Sequence, residues 1–192
     1  MTLTAIPFQM PEPLEIPAHL ADSLAQMPAR EAVAQAMDLL LQIDAARVVL
    51  YEALDGDGSL RLVHVAAPDG ETEGLAALLS KDPQYGRPVT EHPASLPGRA
   101  LSAGAPLLVM GQAGAGDDEP LSPGLATYLA AGDATGNVGF IYVLPLTGEG
   151  ACRGFLTLLR PPAAGPLNHE QPNIAEGLRR LLVGLLEEAG GQ

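Results

Sequence analysis

Few side chains in this sequence can carry a proton, an electron pair or a metal. There are four histidines and one cysteine among 192 residues. His64 stands out because its neighbours Leu60, Leu62, Val63 and Val65 are apolar. An imidazole in such a strand has two uses, and both stay open here. It can meet a ligand group or an iron, or it can be a partly buried residue hydrogen-bonded within the fold. His92 falls in a polar, proline-broken stretch and His169 at a helix start, so exposure is expected for both. No His, Asp or Glu set has the H-x-x-x-H type of spacing that holds a metal, so no metal site is expected.

Cys152 is a lone thiol. It could sense redox, but the ordinary use is as a small buried apolar residue. A single cysteine excludes an internal disulfide framework and any multi-cysteine zinc site. The run Gly-Gln-Ala-Gly-Ala-Gly at 111–116 has the look of a phosphate loop. It lacks the following Lys-Ser/Thr, does not open a helix after a strand, and leads into Asp117, Asp118 and Glu119, which repel phosphate. It reads as a lid or a disordered loop. Arg99 heads a short helix, where it could reach an anionic ligand group or make a surface ion pair. There is no nucleophile elbow and no acid pair, and Ser102 and Ser122 carry no cue of their own. The chain is therefore not expected to be an enzyme.

Composition narrows the partners. Hydrophobic residues make up 47%, enough for a core; aromatics are 4% with no Trp, so that core must be built from Leu, Val, Ala and Ile. Acids outnumber bases 23 to 10, for a formal charge of −13. With no basic stripe, phosphate neutralisation on a nucleic acid is not expected, nor is binding to an anionic membrane. No basic region precedes an apolar run at the N-terminus, and no stretch is apolar for long enough to span a bilayer, so a cytoplasmic location is expected.

The elements follow from pattern. Residues 1–17 carry Pro7, Pro11, Pro13 and Pro17 and read as an extended arm, loosely held or lying on a partner; residues 18–189 read as a single domain. Helical spacing begins at Leu20, breaks at Pro28 and resumes with Val33, Met37, Leu40 and Leu41. Two strands, 47–54 and 60–66, flank Asp55-Gly-Asp-Gly58, a hairpin signal. A register with Leu54 facing Ser59 sets Glu52 opposite Arg61, an attractive pair, and Val49 opposite His64. Val49, Tyr51, Leu62 and His64 then share one face. Short helices are expected at 70–81, at 97–103 before the glycine stop at Gly104, and at 125–131 with Tyr128. A strand is expected at 106–110.

The last third is the most regular. Strands at 138–146 and 152–159 surround a tight turn. Asn168 offers a helix N-cap, with Gln171 at capping-box spacing and Pro172 tolerable only in the first turn. Ile174, Leu178, Leu181, Leu182, Leu185 and Leu186 form one apolar stripe. Its width suits either a single buried face or a helix that meets both a sheet and a partner.

These pieces resemble the end of a GAF domain. The matching residues are Leu144-Pro145-Leu146, Gly154-Phe155-Leu156-Thr157-Leu158 and Leu167-Asn168-His169-Glu170, with an earlier block at 96–109. The likeness covers residues 29–188. It implies an α+β fold of the GAF-like (profilin/PAS-like) kind. A central antiparallel sheet of five to six strands would carry the terminal helices on one face and short helices and loops on the other. It also implies a sensory or regulatory module, with a small-molecule pocket on the sheet face away from the terminal helices. The ligand-binding candidates are Val49, Tyr51, His64, Arg99, Tyr128, Phe140 and Tyr142. GAF domains commonly dimerise through the terminal helices, which makes Leu182 and Leu186 the candidates for a homodimer interface, with an output domain or partner protein downstream. The alternative is a degenerate GAF scaffold that only dimerises or docks. No cofactor or ligand identity carries over. GAF-type methionine sulfoxide reductases use several cysteines, bilin-binding GAF domains a lid cysteine and an Asp-Ile-Pro motif, and cyclic-nucleotide GAF domains a spaced Asn-Lys…Phe…Asp-Glu signature; none is placed here.

Overall fold

The apolar runs predicted as strands all enter one antiparallel sheet. The computed structural model describes residues 2–112, 121–132, 139–148 and 150–190. Its strands are β1 (Thr2–Pro7), β2 (Val48–Leu54), β3 (Leu60–Ala66), β4 (Leu107–Gln112), β5 (Phe140–Thr147) and β6 (Cys152–Arg160). Their spatial order is β1-β4-β5-β6-β2-β3. Strands β2, β5 and β6 lie inside the sheet and are covered on both faces, which is why they read as nearly continuous apolar runs.

Two helical layers cover that sheet. On one face lie α1 (Ala18–Ala25), α2 (Ala29–Gln42) and α6 (Gln171–Gly190). There Tyr51, Leu144, Leu156 and Leu158 pack with Met37, Leu40, Leu178 and Leu182. On the other lie α3 (Thr72–Leu79), α4 (Leu96–Ala103) and α5 (Pro123–Gly132), where Leu50, Val143, Phe155 and Leu159 meet Leu75, Leu79, Leu125 and Leu129. Gly104 ends α4 in the left-handed conformation, at φ 60. The glycine-rich run at 111–116 lies mostly outside the described residues, although β4 extends to Gln112.

The capping box of α6 forms in full. Asn168 Oδ1 accepts from the backbone N–H groups of Glu170 and Gln171 at 3.0 Å, and Gln171 Oε1 accepts from Asn168 N–H at 2.8 Å. Pro172 falls in the first turn. Further along, Glu176 is only 2% exposed and accepts from Arg179 Nε and Arg180 Nε, each at 2.7 Å. Arg179 also donates to the Pro145 carbonyl at 2.9 Å, which ties α6 to β5. Burial pushes the Glu176 carboxyl up, but the two guanidinium groups more than offset this and hold it below its ordinary value. The whole leucine stripe of α6 packs into one core, with Leu182 fully buried and Leu181, Leu185 and Leu186 partly so.

The proline-rich start lies on its own domain. Residues Thr2–Pro7 pair with β4 as an edge strand, where Pro7 costs no needed ladder donor. Phe8 meets Tyr142 edge to face at 5.5 Å, and Leu14 N–H donates to the Asn173 carbonyl at 3.1 Å.

The hairpin forms, but in a different register. Asp55 N–H donates to the Ser59 carbonyl at 3.0 Å, so Ser59 belongs to the turn and Leu54 faces Leu60. That register sets Glu52 opposite Leu62, and a bulge between Tyr51 and Glu52 then sets Tyr51 opposite His64. Arg61 pairs instead with Asp55, its Nη2 3.1 Å from Oδ1. The expected Glu52–Arg61 and Val49–His64 pairs are thus absent. Leu62 packs on the short-helix side while Val49 and Tyr51 lie beneath the terminal helices. The residue this error concealed is Glu52, which turns into the interior.

Candidate functional site

Glu52 is a carboxylate in an apolar strand, 2% exposed, on the sheet face that carries the short helices. Two hydroxyls meet it. Tyr85 Oη donates to Oε1 at 2.9 Å, and Thr157 Oγ1 donates to Oε2 at 3.1 Å from the neighbouring strand β6. Burial lifts the carboxyl to about 7; the bonds from Tyr85 and Thr157 act against this, and the charge of Asp82 adds to it. Tyr85 is itself pushed well above its ordinary value, by burial first and then by Glu52.

Backbone pairing brings Tyr85 there. Gly86 N–H donates to the Leu60 carbonyl at 2.8 Å, Leu60 N–H to Arg87 at 3.0 Å and Val89 N–H to Gly58 at 3.0 Å. The segment therefore runs along the outer edge of β3. Gly86 has φ +75, a conformation that favours glycine. On the opposite side of Glu52, Gly154 of β6 comes so close that an added Cβ would lie 2.4 Å from the Glu52 carbonyl oxygen. Asp82, 5% exposed, holds the start of α5 by accepting from Gly124 N–H at 2.8 Å. Its Oδ2 has no hydrogen-bond partner among the described residues.

Two cavities adjoin this cluster. An inner chamber of about 10 Å³ is bordered by Glu52, Tyr85, Thr157, Leu96 and Leu125 among others. An outer cleft of about 310 Å³ is bordered by Glu91, His92, Ser95, Leu121 and flanking prolines. Gln84 and Ser122 stand in the walls of both. His92, expected to be exposed, is half-buried, and its Nε2 has no partner among the described residues. Among the described residues no lysine or arginine borders either cavity.

The fold, a six-stranded antiparallel sheet with helices on both faces, recurs in solved structures. No family model matches the sequence, and no curated relative matches it by sequence. By structure, the GAF domain/HD domain protein from Geobacter sulfurreducens is 13% identical with a TM-score of 0.62, over 90% of this chain and 99% of that one. The GAF domain from Acinetobacter phosphoenolpyruvate-protein phosphotransferase is 11% identical with a TM-score of 0.59, over 90% and 91%. The fold is that of a GAF domain. A third match is the free methionine-R-sulfoxide reductase from Neisseria meningitidis in complex with its substrate, at 16% identity and a TM-score of 0.58, over 90% and 86%.

Within this GAF-like fold the residues expected at the pocket are divided between the two faces. Val49, Tyr51, Phe140 and Tyr142 pack beneath the terminal helices, and His64 lies opposite Tyr51 in the ladder. Tyr142 Oη accepts from Leu167 N–H at 3.3 Å. Arg99 and Tyr128 are on the short-helix side, but neither borders the chamber or the cleft. Arg99 reaches the Ala5 carbonyl at 3.5 Å, and Tyr128 donates to Glu71 at 2.5 Å. The chamber is built instead from Glu52, Tyr85, Thr157, Gln84 and Ser122. A third cavity, about 290 Å³ and apolar, lies among Leu14, Ile16, Leu20, Leu39 and Ile174 on the terminal-helix side.

Cys152 is half-buried, and its Sγ donates to the Gly154 carbonyl at 3.2 Å. Burial pushes the thiol above its ordinary value, so little thiolate exists at neutral pH. Iodoacetamide should therefore alkylate Cys152 more slowly in native protein than in the urea-unfolded chain. Equal rates would restore a redox role.

Proposed function

We propose that this GAF domain is a sensory or regulatory module that binds a small molecule in the cleft at the N-terminal ends of α4 and α5. One observation carries the reading: an open cleft of about 310 Å³ shares Gln84 and Ser122 with a chamber floored by Glu52 and Thr157. Ligand sites combine apolar walls with a few convergent polar groups, and this volume is at the small end of their range. The response has a short path. Glu52 stands between Tyr51 and Ala53, and Thr157 between Leu156 and Leu158; all four neighbours pack in the layer under α2 and α6. A ligand that prefers one position of β2 and β6 biases the terminal helices by its differential affinity. The output would be a partner protein, a further domain or a second copy of the chain paired through α6. We infer binding rather than catalysis, because both oxygens of Glu52 are engaged and the chamber is too small for a reacting bond. The expected setting is the cytoplasm; among the described residues no helix is long and apolar enough to cross a membrane.

A melting-temperature screen against amino acids, purines, cyclic nucleotides, amines, tetrapyrroles and divalent metals tests this. A ligand at a hundred times its dissociation constant adds about 2.7 kcal/mol of stability. The shift should vanish in Gln84→Trp, where the indole fills the wall common to both cavities. The chamber's own volume, about 10 Å³, favours a second reading in which side chains close the interior and the domain only dimerises or docks. Silence across the screen would select that reading.

A further inference from the structure

The proposed ligand site has a one-sided chemistry. Glu52 and Glu91 are its carboxylates, and Gln84, Ser95 and Ser122 add carbonyl or hydroxyl oxygens; among the described residues no lysine or arginine borders either cavity, and the one imidazole, His92, borders the outer cleft and not the chamber that holds Glu52. Asp82, in range to act on Glu52, holds a buried oxygen without a hydrogen-bond partner among the described residues. In the inner chamber a carboxylate or phosphate group would face Glu52 with no countercharge beside it. Size narrows the choice further. About 10 Å³ is close to the room one water needs, and an ammonium group is of similar size. The outer cleft, walled by Pro83, Pro93, Ala94, Leu121 and Pro123, suits a short, largely apolar body.

We propose that the site takes a small primary amine, its ammonium group against Glu52 in the inner chamber and its body in the cleft between Gln84 and Ser122. This rests on the ligand-binding reading above. Joining the two spaces requires the half-buried Gln84 side chain, which hydrogen-bonds Tyr85, to move aside. An ammonium group donates three hydrogen bonds, which Glu52 and the Ser122 and Thr157 hydroxyls can accept; Tyr85 keeps its bond to Glu52. The net charge of −13 favours the approach of cations over anions.

Proton linkage follows. The titratable groups facing Glu52 are Tyr85 from the loop along β3 and Asp82 at the end of α3. β3 presents Leu62, β6 presents Phe155 and Thr157, and α4 presents Leu96 and Pro97, none of them charged. Glu52, with its carboxyl at about 7, is mostly protonated in weak acid, so the ammonium group must displace that proton to solvent. Affinity should rise about tenfold per pH unit below about pH 7 and level off above it.

Titration calorimetry with n-butylamine and benzylamine, beside n-butanol, butyrate and benzoate, tests this at several pH values. The expected result is binding of the amines over the alcohol and acids, with that pH slope. Glu52→Gln should lose both the slope and at least about tenfold in affinity, since a charge-assisted bond becomes neutral. Gln84→Trp, which leaves Glu52 in place, should abolish binding. Binding of only the alcohol or the acids, lost in Gln84→Trp, overturns the amine assignment and leaves the ligand site standing. Amine binding unchanged in both variants also overturns it. If neither these probes nor the wider screen gives binding, the amine assignment and the sensory reading fall together.

Discussion

The stability of this domain should fall between about pH 4.5 and pH 7, and the fall should be absent in Glu52→Gln. A carboxyl raised from its ordinary value to about 7 by burial favours the folded state only while it stays protonated. Its contribution is complete below the unfolded value, declines as the unfolded chain ionises and the folded one does not, and is lost once pH passes about 7. At 1.36 kcal/mol per unit the full change is about 3 kcal/mol. Glu176 works in the opposite sense and in a different window. Its carboxyl is held low, so its contribution is present above the ordinary value and lost only as pH falls below it. The two effects therefore separate along the pH axis. Urea unfolding of both proteins at several pH values measures the difference. Parallel curves would mean that Glu52 takes up its proton in the folded protein over the same pH range as in the unfolded chain, and so that burial does not raise its carboxyl.

That carboxylate was visible in the sequence, and its environment was not. Val-Val-Leu-Tyr-Glu-Ala-Leu and Gly-Phe-Leu-Thr-Leu-Leu each hold one polar residue in an apolar run. Such a residue in a strand buried on both faces must find a partner inside. Joining Glu52 to Thr157 requires knowing that β2 lies beside β6, a pairing across 105 residues that no local pattern encodes. Pairing Glu52 with Arg61 assumes a turn one residue shorter than the real one, which includes Ser59. Which face of β2 meets the terminal helices is set by packing and not by the hairpin, and Val49 and Tyr51, expected at the cleft, support those helices. Tyr85 had no signal, since it reaches Glu52 only because its loop follows the edge of β3. Features set by neighbours in the chain were legible: the Asn168–Gln171 cap, Pro172 in the first turn, the Gly104 stop, and the apolar stripe of α6. The edge strand β1 was hidden, because Pro7 and the prolines beyond it dominated the Thr-Leu-Thr-Ala-Ile alternation before it.

Leu182→Asp should unfold the domain, whatever its oligomeric state. Leu182 is fully buried within its own protomer, in the layer with Met37, Leu40 and Leu158. Truncating such a leucine to alanine costs about 2–5 kcal/mol through lost burial and the cavity left behind. A carboxylate in the same place adds desolvation that no nearby cation offsets; Arg179 and Arg180 already serve Glu176. Folded domains have only about 5–15 kcal/mol in total, so loss of the native circular dichroism spectrum is expected. A drop in mass would then report unfolding and not a broken interface. Leu186 separates the two effects, because it sits on the same stripe but is only partly buried. If the domain pairs through α6, Leu186→Asp should halve the mass in light scattering while the native spectrum persists. An unchanged mass with a native spectrum removes the pairing at that position. A folded Leu182→Asp would contradict the packing of α6 on the sheet, and with it the path by which a ligand at Glu52 reaches the terminal helices.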